Sequence, residues 1–300
     1  MAVKIPFNYQ LDFEYGRMDQ LTPNIRRVVA RNPSAFSFHG TGTYIIGRGE
    51  VAVIDPGPLL DDHIEAILDG LVDEKISHIL ITHTHTDHSP AASILKQRSG
   101  APTYGYGPHG SGKKLQGIQV EAGGDMDFIP DVIVNHGDVI PGKDWTMECV
   151  YTPGHTSNHM CFQLREEKAL FTGDHVMAWS TSIISPPDGD MTAYMESLRL
   201  LLNRDDDIYW PTHGSSISNP KDYVQTFIAH RLEREAQIIE ALNAGHQSIT
   251  DMVPGMYVDL DEKMYPAAAR SVLAAMIRLI DTGKVSCQGE PALESAYKLA

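Results

Sequence analysis

Residues 83–88 have the sequence HTHTDH, which places four side chains that can bind a metal within six positions. The preceding segment, Ile76–Ile81, is apolar and rich in β-branched residues, and this composition predicts a buried strand. Ser89 and Pro90 follow, and this pair predicts a helix with Ser89 as its N-cap and Pro90 in its first turn. HTHTDH is therefore expected to lie in a loop between a strand and a helix.

The spacing within this loop divides its side chains into two pairs. In extended backbone, residues two apart point to the same side, so we expect His83 and His85 to face one cation together. Where the chain turns towards the helix, Asp87 and His88 are expected to face a second cation. Imidazole and carboxylate ligands suit zinc and similar first-row metals.

Composition limits the class of protein. The chain has 300 residues, which allow one large domain or one large domain with a small appendage, and its 42% hydrophobic and 21% charged residues are typical of a soluble globular enzyme. The formal net charge of −15 disfavours nucleic acid and anionic membranes as partners. The three cysteines are widely separated, which argues against a CxxC zinc motif or a disulfide framework. The N-terminus has no apolar signal core and no stretch could span a bilayer, so we expect a cytoplasmic protein without a membrane partner.

The composition changes near residue 220, which predicts two domains, residues 1–220 and residues 221–300. The first shows short strands alternating with loops and helices, a pattern typical of sheets flanked by helices. The second is predicted to contain three helices and a short strand, at Asp222–Ala244, Ser248–Met252, Pro266–Asp281 and Val285–Gln288. This pattern resembles a small winged-helix module. Residues 226–300 hold seven Lys or Arg against ten Asp or Glu, a net charge of −3, which disfavours DNA and favours a packing role or a homodimer contact.

Three more candidate metal ligands share one pattern, because each follows a predicted strand in a tight loop that contains Gly or Pro. His155 ends the sequence TPGH, Asp174 ends TGD, and His213 lies in PTHG. Loops at strand ends are where a rigid scaffold presents chemistry. Each loop alone is more often an ordinary turn. Together with HTHTDH, however, they provide seven ligands, the number that two adjacent zinc ions need.

HTHTDH, followed in order by His155, Asp174 and His213, resembles the ligand motifs of the metallo-β-lactamase superfamily over roughly residues 35–220. The resemblance implies an α+β fold, a four-layer αββα metallo-β-lactamase sandwich with the metals at one edge. It implies one zinc bound by His83, His85 and His155, a second bound by Asp87, His88 and His213, and Asp174 as a bridge between them. Asp55 matches an aspartate that supports the site without binding a metal.

Other segments are similar to the β-lactamase-like protein 2 subgroup: Ser185–Met191, Tyr194, Ser197–Leu198 and Ala229–Glu235. Members of this subgroup pair the catalytic domain with a C-terminal winged-helix-like module, and the animal member is an endoribonuclease. Antibiotic-hydrolysing members of the superfamily generally lack the bridging aspartate, and some use a cysteine ligand. The presence of Asp174 therefore disfavours a β-lactamase.

The predicted activity is that of a dinuclear zinc hydrolase, which uses a metal-bridging hydroxide on a small ester, thioester or lactone. Iron or manganese are alternative metals. Asp87 is also expected to orient the nucleophile, and His159 is either a proton shuttle or a hydrogen-bonded structural histidine. An endoribonuclease acting on RNA is the alternative function. A di-iron oxidoreductase is less favoured, because His85 stands where di-iron members commonly have glutamate.

Overall fold

The structure, a computed structural model, describes residues 3–111 and 123–300. Within these ranges the strands are β1 (Met18–Gln20), β2 (Ile25–Val29), β3 (Gly42–Ile46), β4 (Glu50–Ile54), β5 (Lys75–Leu80), β6 (Thr103–Gly105), β7 (Val132–Ile133), β8 (Val139–Pro141), β9 (Thr146–Tyr151), β10 (Met160–Leu164), β11 (Ala169–Gly173), β12 (Ile208–Pro211), β13 (Val285–Cys287) and β14 (Tyr297–Leu299). The α-helices are α1 (Asp61–Asp69), α2 (Ala92–Ser99), α3 (Met191–Leu202), α4 (Pro220–Asn243), α5 (Ile249–Met256) and α6 (Tyr265–Asp281).

The first sheet has the order β1-β2-β3-β4-β5-β6-β7. Strands β1 to β4 pair antiparallel, whereas β4 to β7 pair parallel, with α1 and α2 in the connections. The β3–β4 hairpin turns through Gly47 and Gly49, both with positive φ. A Cβ atom at Gly47 would lie 2.3 Å from Trp145 Cδ1, so this position requires glycine for space as well as for conformation.

The second sheet has the order β12-β11-β10-β9-β8, in which only the β11–β12 pair is parallel among these strands. Strands β10 and β11 pair antiparallel, with Phe162 opposite Phe171. Both rings point into the space between the sheets, where Tyr44, Trp145 and Trp210 join them.

Each sheet carries helices on its outer face. On the first sheet, Val53 and Ile79 pack with Ile64 of α1 and Leu95 of α2. On the second sheet, Leu170 packs with α3 and α4 through residues that include Tyr194, Leu198 and Phe227. The layers are therefore helix, sheet, sheet and helix, which confirms the predicted four-layer αββα sandwich.

Beyond the sandwich, α4, α5, α6 and the β13–β14 hairpin form a C-terminal module with its own apolar core. Helix α4 belongs to both parts, because Phe227 packs on the second sheet whereas Ile238 packs in the module. The three predicted helices are all present, with bounds shifted by up to four residues.

The prediction that Ser89 caps a helix is wrong. Helix α2 begins only at Ala92, and residues 86–91 form turns. The Ser89 hydroxyl donates to Asp125 Oδ2 at 2.6 Å instead of capping the helix. Asp125 lies on a distant segment of the chain, so this hydrogen bond could not be predicted from the local sequence.

Candidate metal centre

Four loops bring the seven predicted ligands to one edge of the sandwich. HTHTDH follows β5, and the other three loops follow β9, β11 and β12. Three groups have ligand atoms within 4.8 Å of one another: His83 with His85 and His155; His83 with His88 and Asp174; and Asp87 with His88 and His213. Residues from four separate loops therefore meet as the resemblance implied.

Two of these groups provide candidate cation positions, and the first of these positions is surrounded by three imidazoles. His85 Nδ1 lies 3.0 Å from His83 Nε2 and 3.1 Å from His155 Nε2. Three convergent nitrogen atoms match the protein ligands of a catalytic zinc site, which leaves a fourth position open.

The second cation position combines a carboxylate with two imidazoles. His213 Nε2 lies 3.2 Å from Asp87 Oδ2, and His88 Nε2 lies 3.6 Å from Asp87 Oδ1. Nitrogen and oxygen ligands together suit zinc, iron and manganese.

Asp174 lies between the two positions. Its Oδ1 is 3.6 Å from His88 Nε2 and 3.5 Å from His213 Nε2, whereas its Oδ2 is 3.8 Å from His155 Nε2. One oxygen atom thus faces each position, which is the geometry that a bridging carboxylate requires.

Backbone carbonyls orient two of the rings. His155 Nδ1 donates to Ile183 O at 2.7 Å, and His213 Nδ1 donates to Gly40 O at 3.1 Å. With the proton on Nδ1, the Nε2 lone pair of each ring is directed at the metal positions.

Asp55 orients two more rings. It is fully buried, and its carboxylate accepts hydrogen bonds from Thr82 N, Thr82 Oγ1, Thr212 Oγ1 and His88 Nδ1, at 2.7–2.9 Å. Because the Thr82 hydroxyl donates to Asp55, Thr82 Oγ1 accepts from His83 Nδ1 at 3.0 Å. This is the supporting position that the resemblance implied for Asp55.

The charged side chains at the centre shift one another's pKa values. Burial alone would raise the pKa of Asp174, but His213 and His88 hold it well below its usual range. Burial alone would lower the pKa of His88, but Asp87, Asp174 and Asp55 raise it well above its usual value. The carboxylates therefore remain ionised, and a positive charge beside them would stabilise them.

Two buried atoms test whether these residues fit a metal. Among the described residues, neither His88 Nε2 nor Asp174 Oδ1 has a hydrogen-bond partner, although both atoms are buried. Buried polar atoms rarely lack a partner, and a cation between these two would satisfy both. The ligand set therefore fits divalent cations.

His159 lies behind the ligands, with its ring centroid 5.2 Å from that of His83. It is fully buried, its Nε2 accepts from Asp174 N at 3.3 Å, and its Nδ1 donates to Thr152 Oγ1 at 2.9 Å. Burial, together with His175, lowers the pKa of His159 well below its usual value, so the ring is neutral. Both ring nitrogen atoms of His159 thus form hydrogen bonds with protein atoms, as expected for a hydrogen-bonded structural histidine.

Sequence reasoning missed the residues that shape the cleft over this centre. A cavity of 500 Å³ lies over His85, Asp87, His155 and Asp174. Its walls come from residues 32–37, from Met177 and Ile183, and from the start of α6, with Pro266, Ala267 and Arg270. The C-terminal module therefore forms one wall of the cleft. No local motif predicted that α6 would line the cleft, because α6 lies far from HTHTDH along the chain.

Two family models match the chain, one in the sandwich and one in the C-terminal module. The model of the metallo-beta-lactamase superfamily matches residues 38–213, and that of the beta-lactamase associated winged helix domain matches residues 248–292. The second match confirms the predicted winged-helix-like module. Among the described residues, no helix is long and apolar enough to cross a membrane.

Curated relatives and solved structures agree with the family. An atrochrysone carboxyl ACP thioesterase from Aspergillus chevalieri is 34% identical and covers 78% of this chain and 72% of its own length. The lactamase-like protein adaB from Aspergillus niger is 28% identical over 97% of this chain and 94% of its own. A beta-lactamase domain protein from Burkholderia ambifaria has the same fold, with a TM-score of 0.77 at 18% identity over 98% of this chain and 97% of its own. The chain belongs to the metallo-β-lactamase superfamily, and it is a hydrolase of that superfamily.

Proposed function

We propose that the protein is a thioesterase that uses two divalent metal ions, most simply two zinc ions. The observation that carries the proposal is Asp174, whose two carboxylate oxygens face two different groups of ligand atoms. In the proposed arrangement, His83, His85 and His155 hold one ion, Asp87, His88 and His213 hold the other, and Asp174 bridges them. Two ions so held would polarise a carbonyl group and lower the pKa of a water molecule between them.

The chain's own residues would orient the reactants. The side chain of Asp87 is 31% exposed and lines the cleft, so its carboxylate can accept a hydrogen bond from an attacking water molecule. Burial raises the pKa of Asp87, but His88 and His213 lower this pKa by more than burial raises it. The group is therefore a carboxylate at neutral pH. In the proposed reaction, the water oxygen bonds to the acyl carbon and the carbon–sulfur bond breaks, while one proton of the water passes to the departing thiolate.

A thioester is preferred over the other predicted substrates for two reasons. The relative from Aspergillus chevalieri is named as a thioesterase. Among the described residues that line the cleft, Arg270 is the one Lys or Arg, whereas proteins that bind RNA backbones present several cations. Esters and lactones share the electrophilic carbonyl, and they serve as comparison substrates.

A substrate panel tests the proposal. The full chain, reconstituted with zinc, would be assayed with an acetyl thioester of N-acetylcysteamine, the matching oxygen ester, a lactone and a structured RNA. We expect the thioester to give the highest kcat/KM, and metal analysis to give about two equivalents of zinc per chain. RNA cleavage without thioester hydrolysis would replace this proposal with the endoribonuclease alternative. A single bound ion, even with added zinc, would contradict the dinuclear site.

A further inference from the structure

A second cavity, of 530 Å³, lies beside the cleft. Its walls come from the N-terminal segment that starts at Val3, from the loop Ser180–Ile183, and from helices α4, α5 and α6 of the C-terminal module. Much of its lining is apolar and includes Val3, Ile5, Phe7, Met256, Leu260 and Met264.

The two cavities are neighbours that share part of their walls. Ile183 and Ala267 line both of them. Ile183 also accepts the hydrogen bond from His155 Nδ1, so the shared wall is in direct contact with a proposed metal ligand. The side chain of Ala267 is a single methyl group, so this part of the shared wall is thin.

We propose that the second cavity binds the acyl group of the substrate, and that this acyl group is an extended apolar chain. The inference rests on the proposed thioesterase function, and it adds a substrate class to that function. The thioester carbonyl would lie in the cleft near Asp87, the acyl chain would pass between Ile183 and Ala267, and the thiol would leave through the mouth of the cleft.

Two of the charged side chains that line the second cavity are held by protein partners. Glu233 accepts hydrogen bonds from Val3 N at 3.1 and 3.2 Å. Arg234 donates to Gln237 Oε1 at 2.7 Å, and its guanidinium lies 4.3 Å from the centre of the Tyr257 ring. These contacts hold Glu233 and Arg234 against protein partners, and apolar side chains supply much of the remaining wall that a ligand would meet.

The formal charges on the walls of this cavity balance, because Arg231 and Arg234 offset Glu233 and Asp259. Burial, with help from Arg231 and Arg234, lowers the pKa of His230 to about 3, so this side chain is neutral at neutral pH. Arg231 is buried and donates to Ser182 O. Glu233 and Asp259 add negative charge to the same walls. The cavity walls therefore offer no net positive charge to attract a phosphate or carboxylate group, whereas exposed Arg270 lies at the mouth of the cleft.

The volumes also favour a large acyl group. Small-molecule sites occupy roughly 300–1,000 Å³, so the 500 Å³ cleft alone would hold a small ester with its leaving group. The additional 530 Å³ would be needed only by a longer substrate. Each methylene that enters this cavity should raise kcat/KM roughly two- to fourfold, because it leaves water for an apolar wall.

The test uses the zinc-loaded full chain and thioesters that differ only in acyl length: acetyl, hexanoyl and decanoyl esters of N-acetylcysteamine. We expect kcat/KM to rise along the series. Ser271→Trp would fill the second cavity from α6, at a residue that does not line the cleft. The ratio of decanoyl to acetyl kcat/KM should fall at least tenfold in this variant. Ala229→Trp, on the exposed face of α4, is the matched control and should keep the wild-type ratio.

A second variant and a binding measurement distinguish a filled cavity from a misfolded protein. Val258 is 75% exposed at the rim of the cavity, so Val258→Asp should be tolerated by the fold while it repels an apolar chain. Calorimetry with decanoate and metal-free protein should show binding to the wild type and to Ala229→Trp. Binding should be at least tenfold weaker to both cavity variants.

The outcomes separate this inference from the proposed function. Acetyl thioester hydrolysis with no dependence on acyl length, and no decanoate binding, would overturn the acyl site and leave the thioesterase proposal standing. Failure to hydrolyse any thioester would overturn the thioesterase proposal. In that case, decanoate binding that Ser271→Trp weakens would still support an acyl-chain site.

Discussion

Asp55 Oδ2 and His88 Nδ1 lie 2.9 Å apart, and neither side chain is exposed to solvent. Asp55 has a φ of 48°, in the left-handed region that non-glycine residues seldom adopt. The backbone is held in this conformation where the carboxylate meets Thr82, Thr212 and His88. One buried carboxylate therefore links two of the loops that carry candidate ligands, HTHTDH and the loop of His213.

The first prediction concerns this carboxylate. Asp55→Asn keeps the shape but removes the charge that holds the His88 ring, so zinc affinity should fall roughly 10- to 100-fold. Competition with a chelating dye would measure the affinity. The exposed substitution Asp73→Asn is the control and should have no effect. Unchanged zinc affinity in Asp55→Asn would show that the ring needs no support from this residue.

The bridging position gives the second prediction. Asp174→Ala should lower the occupancy of both metals and abolish hydrolysis, because the two cations would lose their shared ligand and repel each other. Elemental analysis after dialysis would measure the metal content, with His85→Ala as the comparison that removes a ligand from one position only. Two tightly bound metals and full activity in Asp174→Ala would contradict the bridging assignment.

The role of His159 is the subject of the third prediction. Its nitrogen atoms contact Asp174 N and Thr152 Oγ1, so we expect it to position the Asp174 loop instead of carrying protons. His159→Ala should retain both metals and lower kcat, with the shape of the pH–rate profile unchanged and no recovery on addition of imidazole. Recovery with imidazole would instead support the proton-shuttle interpretation.

Acid stability provides the fourth prediction. His63 is 3% exposed, and burial lowers its pKa to about 4 from the ordinary 6.5. Between these values the unfolded chain binds the proton and the folded chain does not, so the free energy of unfolding falls as the pH is lowered from 6.5 to 4. This residue should account for about 3 kcal/mol of that loss.

Urea unfolding of metal-free protein at pH 7 and pH 4.5 would measure the effect of His63. The variant His63→Gln has no titrating group at this position, so it should lose less stability than the wild type over the same interval. Equal losses in the two proteins would show that His63 is not the acid-sensitive group.

The C-terminal module gives the fifth prediction. Despite its winged-helix match, residues 226–300 carry a net charge of −3, and α6 lines the cleft. We expect the full chain to show no salt-dependent affinity for duplex DNA, because DNA binding needs clustered cations that release counterions. A gel-shift or anisotropy titration would check this. Nanomolar binding that weakens steeply with salt would contradict it.

Local sequence was sufficient for much of the fold. The apolar, β-branched run Ile76–Ile81 predicted β5, because such residues favour a buried strand. The helical patterns after residue 220 predicted α4 and α6. HTHTDH and the three later loops identified the candidate ligands, since each motif is only a few residues long. The family resemblance then implied how the sheets would pack.

Other features depend on contacts between residues far apart in the chain. The start of α2 shifted because the Ser89 hydroxyl donates to Asp125, and the His155 ring is oriented by the carbonyl of Ile183. The wall that α6 adds to the cleft, and the second cavity behind Ala267, likewise arise only when the module packs on the sandwich. Sequence periodicity records which face of an element is apolar. It does not record which distant atom that face will meet, because that choice is made by packing and hydrogen bonding in the folded chain.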